Sequence, residues 1–130
     1  MNEYVTDTHS LYWYLLNSPL LGKQASAAFD EADNGNAFIY IPAIVFAEMF
    51  YLNKKLKKQI DFAIEFQNIK QSGQFILLSF EADDVLDFDR DSAVKEMHDR
   101  MIVGAARRLN APLLTKDANI TASGIVQIIW

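Results

Sequence analysis

The sequence contains no cysteine, and it has only three prolines and five glycines among its 130 residues. Without cysteine there can be no disulfide bond, zinc–thiolate site, iron–sulfur cluster or thiol nucleophile. No stretch free of Asp, Glu, Lys and Arg reaches the length of about 20 residues that a membrane-spanning helix needs. We therefore expect a soluble protein of a reducing compartment, the cytoplasm.

Positive charge is also scarce, since twelve Lys and Arg stand against seventeen Asp and Glu and the net charge is -5. Attraction of the whole molecule to nucleic acid or to an anionic membrane is therefore not expected. Hydrophobic residues make up 51% of the chain and charged residues 22%, a balance that excludes disorder and indicates a packed core. The length is typical of one compact unit, so we expect residues 1–130 to form a single domain.

Short apolar segments of strand length alternate with longer segments of helical periodicity. Strands are predicted at residues 4–6, 37–41, 75–78, 113–115 and 126–130. Helices are predicted at residues 8–16, 24–33, 42–57, 60–71, 81–89 and 99–109. Residues 75–78 are all apolar, as in a strand covered on both faces, which is typical of parallel sheets. The pattern predicts an α/β fold in three layers, α/β/α, with a central parallel sheet of four or five strands.

Two of the predicted strands are followed by an aspartate. Asp7 comes directly after residues 4–6, and Asp117 stands two residues after residues 113–115. Ligands of doubly wound sheets bind at the carboxyl ends of the strands, so both carboxylates are expected at one edge of the sheet. Each residue also has a simpler interpretation, Asp7 as a helix N-cap and Asp117 as a turn residue.

Two further acids lie in apolar helices. Glu48 is the only charged residue between Ala37 and Asn53, and its helix is apolar around the whole circumference, which predicts burial on most sides. A buried carboxylate must be protonated, paired with a base such as Arg100, or bound to a metal ion. Asp99 begins the most apolar helix of the second half, where an acid would also stabilise the helix dipole.

The four acids are more informative together than singly. Their mutual repulsion would raise their pKa values unless a cation lies among them. Oxygen ligands, without cysteine and without a clear histidine pair, favour Mg²⁺ or Mn²⁺. Because such ions keep positions for water and phosphate oxygens, the natural chemistry is hydrolysis of a phosphodiester. The acids are Asp7, Glu48, Asp99 and Asp117.

Four segments occur in a specific order and spacing: residues 5–13 (VTDTHSLYW), Ala47-Glu48, residues 98–106 (HDRMIVGAA) and residues 111–117 (APLLTKD). They resemble the PIN-domain ribonucleases and, within that family, the VapC-type toxins of bacterial toxin–antitoxin pairs. The resemblance implies a PIN-like fold and Mg²⁺- or Mn²⁺-dependent endonucleolytic cleavage of RNA by metal-activated water. It also implies a VapB-like antitoxin as partner and a homodimer. The residues implied for the metal site are Asp7, Glu48, Asp99 and Asp117, with the hydroxyl of Thr115 beside the last acid.

The residues next to these acids are expected to support the site. Arg100 is predicted to pair with Glu48 or Asp99 and so to orient the site. His9 and His98 could bind metal or act as bases, but packing near a helix start is the favoured interpretation, because each stands too close in sequence to its neighbouring acid to share a helix face with it.

Local positive charge for RNA is predicted at two places. Lys54 and Lys55 stand at the end of the Glu48 helix, and Arg107 and Lys116 lie near the other acids. Lysines at a helix C-terminus also complement the helix dipole, so contact with RNA is one of two interpretations.

The six large apolar residues 11–16 are too many for one buried stripe, and some of them are expected to face another protein, either a second copy or an antitoxin.

Two alternative functions also remain open. One is a phosphatase resembling the haloacid dehalogenases, with Asp7 as covalent nucleophile and Lys116 and Asp117 in later motifs. The other is a PIN-like interaction module without catalytic activity.

Overall fold

A computed structural model describes residues 1–130 and contains five strands and six α-helices. The strands are β1 (Asn2–Thr6), β2 (Ala37–Pro42), β3 (Phe75–Leu78), β4 (Leu113–Leu114) and β5 (Ile128–Ile129). The helices are α1 (Thr8–Leu15), α2 (Lys23–Asp33), α3 (Ala43–Lys55), α4 (Phe62–Gln71), α5 (Met97–Leu109) and α6 (Ala118–Ser123), with a 3₁₀ helix over Ala82–Asp87. None of the helices combines the length and the apolar character needed to cross a membrane.

All five strands are parallel and lie in the order β3-β2-β1-β4-β5, with helices flanking the sheet. The predicted α/β fold is therefore confirmed, and the sheet has five strands, the larger of the two predicted numbers. In the central strand β1, Val5 is in register with Tyr40 of β2 on one side and with Leu113 of β4 on the other. The strand order reverses between β1 and β4, and the crevice at such a reversal is where open α/β sheets bind ligands.

The core is one cluster of 23 buried apolar residues between the sheet and the helices. Of the apolar run 11–16, Leu11 and Tyr12 are fully buried and the other four residues are half-buried. Tyr14 stacks on Phe29 with ring centroids 4.3 Å apart, and Trp13 meets Trp130 edge-on at 5.9 Å. The run packs mostly within the chain, and only its four half-buried residues keep surface for the predicted partner.

Helix α3 is more exposed than its composition predicts. Only Val45, Met49 and Asn53 are buried, whereas Phe50 is 39% and Tyr51 70% exposed. The helix packs on one side against α1, α5 and β2 and leaves its other side open although that side is apolar. The prediction of a helix buried on most sides is therefore wrong, because an uninterrupted apolar sequence does not show how many neighbours a helix has.

Several element boundaries differ from the prediction for local reasons. Helix α5 begins at Met97, two residues early, because the Glu96 side chain caps it by accepting the Asp99 N–H at 2.7 Å. Pro42 ends β2 and precedes the first turn of α3. The segment predicted as a helix at residues 81–89 is a 3₁₀ helix, and the last two strands are two residues long. Strand β3 lies at the sheet edge, and its Leu77 is 38% exposed, so it is not covered on both faces as predicted.

A buried ion pair anchors the segment before α5 to that helix. The carboxylate of Asp91 is fully buried and accepts two hydrogen bonds from Arg107, at 2.8 and 3.1 Å. The Arg107 and Arg108 side chains also reach Asp87, at 3.3 and 3.1 Å. Hydrogen bonding to Arg108 lowers the pKa of Asp87, and hydrogen bonding to Asp91 raises the pKa of Arg107. Gly104 leaves room for this pair, since a Cβ there would lie 3.2 Å from Oδ2 of Asp91.

Arg100 also binds the segment before α5 and not an acid of the site. Its guanidinium donates to the carbonyl oxygens of Val94, Phe88 and Ser92. The predicted pairing of Arg100 with Glu48 or Asp99 is therefore wrong. The loop carbonyls lie within the reach of this side chain on the first turn of α5, and they occupy its donors.

Candidate active site

An open cavity of about 620 Å³ lies where β1 and β4 end, and all four predicted acids line it. Each acid comes from a different segment. Asp7 follows β1, Glu48 lies on α3, Asp99 on the first turn of α5, and Asp117 follows β4. The structure thus brings together residues that are far apart in the sequence, at the crevice beside the reversal of strand order.

Asp7 and Asp117 are both helix N-caps, because each follows a strand and faces the free N–H groups of the next helix. Oδ1 of Asp7 accepts the Ser10 N–H at 2.9 Å, and Oδ1 of Asp117 accepts the Ile120 N–H at 2.8 Å. The buried hydroxyl of Thr115 accepts the Asp117 N–H at 3.0 Å. Burial raises the pKa of Asp7, and hydrogen bonds from Ser10 and Thr115 oppose that rise. Thr115 therefore supports both acids.

Glu48 is held by two neighbours that the sequence analysis did not assign to it. The hydroxyl of Thr8 donates to Oε1 of Glu48 at 2.7 Å. Nδ1 of His98 lies 3.5 Å from Oε2 of Glu48 and 3.6 Å from Oε1 of Glu96. The sequence contained a signal for both, because Thr8 and His98 stand directly beside Asp7 and Asp99, and both of those acids line the cavity.

The electrostatics of Asp99 show how closely the acids are grouped. Burial raises the pKa of Asp99 to about 6, and the negative charges of Asp117, Glu96, Glu48 and Asp7 add to the effect in that order. All three other predicted acids therefore act on the same carboxylate. Their repulsion favours either a proton or a cation in the cavity.

Replacing Asp99 by Asn is expected to stabilise the metal-free protein by roughly 1 kcal/mol at about pH 8, allowing for solvent screening of a partly exposed group. The pKa of Asp99 is higher in the folded chain than its ordinary 3.8, so stability falls as the pH rises from about 4 to about 6 and stays lower above that. Asparagine cannot ionise, so the variant avoids this loss.

Thermal unfolding in EDTA measures the difference between wild type and Asp99→Asn. We expect a midpoint higher by a few degrees for the variant at about pH 8 and nearly equal midpoints at about pH 4. A variant that is no more stable than wild type at the higher pH would contradict the repulsion described for this cavity.

Two of the four predicted RNA-binding cations lie at the cavity. Lys55 and Lys116 line it, and neither takes part in an ion pair. Lys54 lies outside it, with Nζ 4.9 Å from the centroid of the Phe50 ring. Arg107 is bound to acids of the segment before α5, so its guanidinium is occupied elsewhere. The structure therefore places Lys54 and Arg107 apart from the four acids.

Aromatic side chains complete the cavity wall. His9 and Trp13 of α1 line it, with ring centroids 5.4 Å apart, and Tyr51 of α3 lines it as well. Nζ of Lys116 lies 5.1 Å from the centroid of the Trp13 ring. The sequence analysis placed Trp13 in the first family-like segment and in the apolar run but gave it no role in the site, and it did not single out Tyr51.

The donor set fits a hard divalent ion that keeps water ligands. The cavity offers four carboxylates, but no three His, Asp or Glu side chains are close enough together to form a closed metal site. Mg²⁺ in proteins is held by one or two carboxylates and retains several waters, so it does not require a closed cage. The acids therefore suit a hydrated ion better than a fully protein-coordinated one.

The fold and the cavity define an α/β protein whose acidic site lies at a reversal of strand order. The family profile of the PIN domain matches residues 4–124. The chain therefore belongs to the PIN-domain family, whose members are generally nucleases, and not to the haloacid dehalogenase-like phosphatases. No curated protein sequence matches the chain.

Solved structures with the same fold include a chain of VapBC2 from Rickettsia felis, in a structure in which VapBC2 is bound to a DNA fragment from its promoter. It has a TM-score of 0.67 and 18% identity, and the alignment covers 97% of this chain and 96% of that one. PAE2754 from Pyrobaculum aerophilum has a TM-score of 0.65 and 18% identity, with 98% and 83% covered. FitAcB from Neisseria gonorrhoeae has a TM-score of 0.60 and 17% identity, with 96% and 95% covered. At such identities the likeness shows the fold.

Proposed function

We propose that this chain is an endoribonuclease that cleaves RNA phosphodiester bonds with a divalent metal ion, and that it acts as the toxin of a toxin–antitoxin pair, with residues 1–130 forming one PIN-like domain. One observation carries the proposal: four carboxylates from four segments line one cavity at the reversal of strand order. Acids grouped in this way need a cation to balance their charge. Membership of a nuclease family supports a phosphodiester as the bond that is cut.

The residues that would hold the ion, directly or through its water ligands, are Asp7, Glu48, Asp99 and Asp117. Their oxygen donors suit Mg²⁺ or Mn²⁺. Such an ion, when bound, supplies the activation of the attacking water and neutralises charge at the scissile phosphate. The protein needs no nucleophile of its own for this reaction.

Neighbouring side chains keep the acids in place and attract the substrate. Thr8 fixes the orientation of Glu48, and Thr115 supports Asp7 and Asp117 through hydrogen bonds. Because the whole chain is negatively charged, RNA must be attracted by local cations. Lys55 and Lys116 line the cavity and are free to contact phosphates.

The test is cleavage of end-labelled unpaired RNAs and transfer RNAs with Mg²⁺, with Mn²⁺ or in EDTA. We expect internal cleavage with either ion, none in EDTA, and recovery when the ion is restored. The Asp89→Asn variant is the matched control, because Asp89 is an exposed acid that does not line the cavity. Cleavage that persists in EDTA would contradict the metal-dependent mechanism, and a lack of cleavage under all conditions would favour the non-catalytic PIN-like module.

The proposed partners follow from the same family. The similar structures of VapBC2 and FitAcB are named as two-component complexes, which supports a VapB-like antitoxin as partner of this chain.

We also propose a homodimer and a cytoplasmic location. Light scattering after size-exclusion chromatography tests the dimer, and a single copy at every concentration would contradict it. Failure of any neighbouring small gene product to suppress the cleavage on co-expression would count against the antitoxin.

A further inference from the structure

One face of α3 is turned towards the cavity along its length. Glu48, Tyr51, Leu52 and Lys55 all line the cavity, and their spacing of three, four and seven residues places them on one side of a helix. With a rise of about 1.5 Å per residue, Tyr51 lies about one turn and Lys55 about two turns beyond Glu48 along the helix axis. Moving away from the acids, this face therefore presents an aromatic ring and then a cation.

Helix α1 lies beside this face of α3 and also places an aromatic ring beyond the acids. The hydrogen bonds from Thr8 to Glu48 (2.7 Å) and from the Tyr12 hydroxyl to Asn53 (2.8 Å) join the two helices at two levels, so α1 and α3 run side by side in the same direction. Trp13 lies beyond Thr8 on α1, as Tyr51 lies beyond Glu48 on α3. An aromatic ring from each helix thus borders the cavity past the acids.

The state of these side chains indicates what they can bind. Tyr51 is 70% exposed, and the one aromatic ring that it meets is that of Phe50, edge-on at 5.3 Å between centroids. Lys116 places its Nζ over the Trp13 ring, and Lys55 has no acidic partner. The Trp13 ring is half-buried and covered by its neighbours, so the open ring is that of Tyr51. An open aromatic ring next to unpaired cations is the arrangement by which proteins bind unpaired nucleotides, since a base stacks on the ring and phosphates meet the cations.

We propose, resting on the nuclease function above, that Tyr51 stacks on a base of an unpaired RNA segment beside the scissile phosphate, while Lys55 and Lys116 contact its phosphates. Tyr51 is then a residue that determines specificity: its ring accepts a base only when that base is not stacked inside a duplex. A deep, narrow major groove hides the bases of paired RNA from side chains, so paired RNA is disfavoured.

Binding of a fluorescein-labelled RNA, measured by anisotropy, tests the proposal. The protein is the full chain carrying Asp7→Asn, so that the probe stays intact, with Mg²⁺ present. Adding Tyr51→Ala is expected to weaken binding of the unpaired probe by about fivefold to a hundredfold, whereas Tyr51→Phe, which keeps the ring, changes it less than about twofold. The same probe as a duplex should bind weakly and show no dependence on Tyr51, and a DNA strand of equal sequence shows whether the ribose matters.

The adjacent lysines provide a matched pair of controls. Lys55→Ala is expected to weaken binding and to lower the salt dependence by about one phosphate contact, whereas Lys54→Ala, outside the cavity, has a smaller effect. Trp13 is not replaced because it packs on Trp130 in the fold. Equal binding by the Tyr51→Ala and Tyr51→Phe chains, or equal losses for the two lysines, overturns the proposal.

The cleavage assay separates this proposal from the nuclease function. If the wild type cuts RNA but binding does not depend on Tyr51, the nuclease stands and the stacking role is overturned. If binding depends on Tyr51 but wild type cuts nothing, the stacking surface is supported and the nuclease is overturned.

Discussion

Replacing Asp7 by Asn is expected to lower the rate of RNA cleavage by on the order of a hundredfold or more. Asp7 is the acid set most firmly at the end of the central strand, and the Ser10 N–H and the Thr115 hydroxyl hold it there. Loss of a group that merely supports a metal ligand costs about 10- to 100-fold, so loss of a ligand should cost at least as much. The measurement is the single-turnover cleavage rate at saturating Mg²⁺ or Mn²⁺.

Two controls make this result interpretable. Asparagine still caps helices well, so circular dichroism and thermal unfolding should show a folded chain. Asp89→Asn removes a negative charge of equal size away from the cavity and should leave the rate close to that of wild type. If Asp7→Asn and Asp89→Asn cleave at equal rates, the activity belongs to another site or to a contaminating nuclease.

Replacing Asp91 by Ala is expected to cost about 3–5 kcal/mol of unfolding free energy, the largest loss of stability that we predict. The carboxylate is fully buried and binds Arg107 through two hydrogen bonds, so its removal leaves the half-buried guanidinium with Asp87 as its one acidic partner. The unfolding midpoint should fall by about 10 °C or more. Chemical and thermal denaturation both measure the loss.

A double variant distinguishes the effect of an unpaired charge from the effect of altered packing at this position. Replacing Asp91 by Leu and Arg107 by Met together removes both charges, and most of the lost stability should return. The exposed Asp89→Ala change on the same segment should stay within about 0.5 kcal/mol of wild type. A small loss for Asp91→Ala would show that water reaches the pair and that it anchors little.

The order of the strands and the longer helices could be predicted from the sequence because it depends on local patterns, whereas the short helix α6 was not predicted. Apolar runs of strand length and the caps that begin helices are contained in neighbouring residues, so β1, β2, β3 and the longer helices lie close to their predicted positions. The burial of α3 could not be predicted in this way. Apolar residues around its whole circumference indicate that the helix tolerates burial, but only the tertiary structure shows that one side remains exposed.

Some residues of the candidate site could likewise be predicted from the sequence, and others could not. The four acids could be predicted to meet because parallel strands end at one edge and because their segments resemble a known family. The roles of Arg100 and Arg107 could not be predicted, since a long cationic side chain pairs with whatever acceptors lie within its reach. The segment before α5 provides those acceptors, and no local pattern shows where that segment folds back.

The central position of β1 has a consequence for the synthesis of this chain. After Asp7 has left the ribosome, β4 and Asp117, which complete the cavity on the other side of β1, follow about 110 residues later. At the usual speed of translation this delay lasts about 5–20 s. The nascent chain therefore cannot assemble the acidic cavity before Asp117 has been released, and any activity that depends on the cavity begins only then.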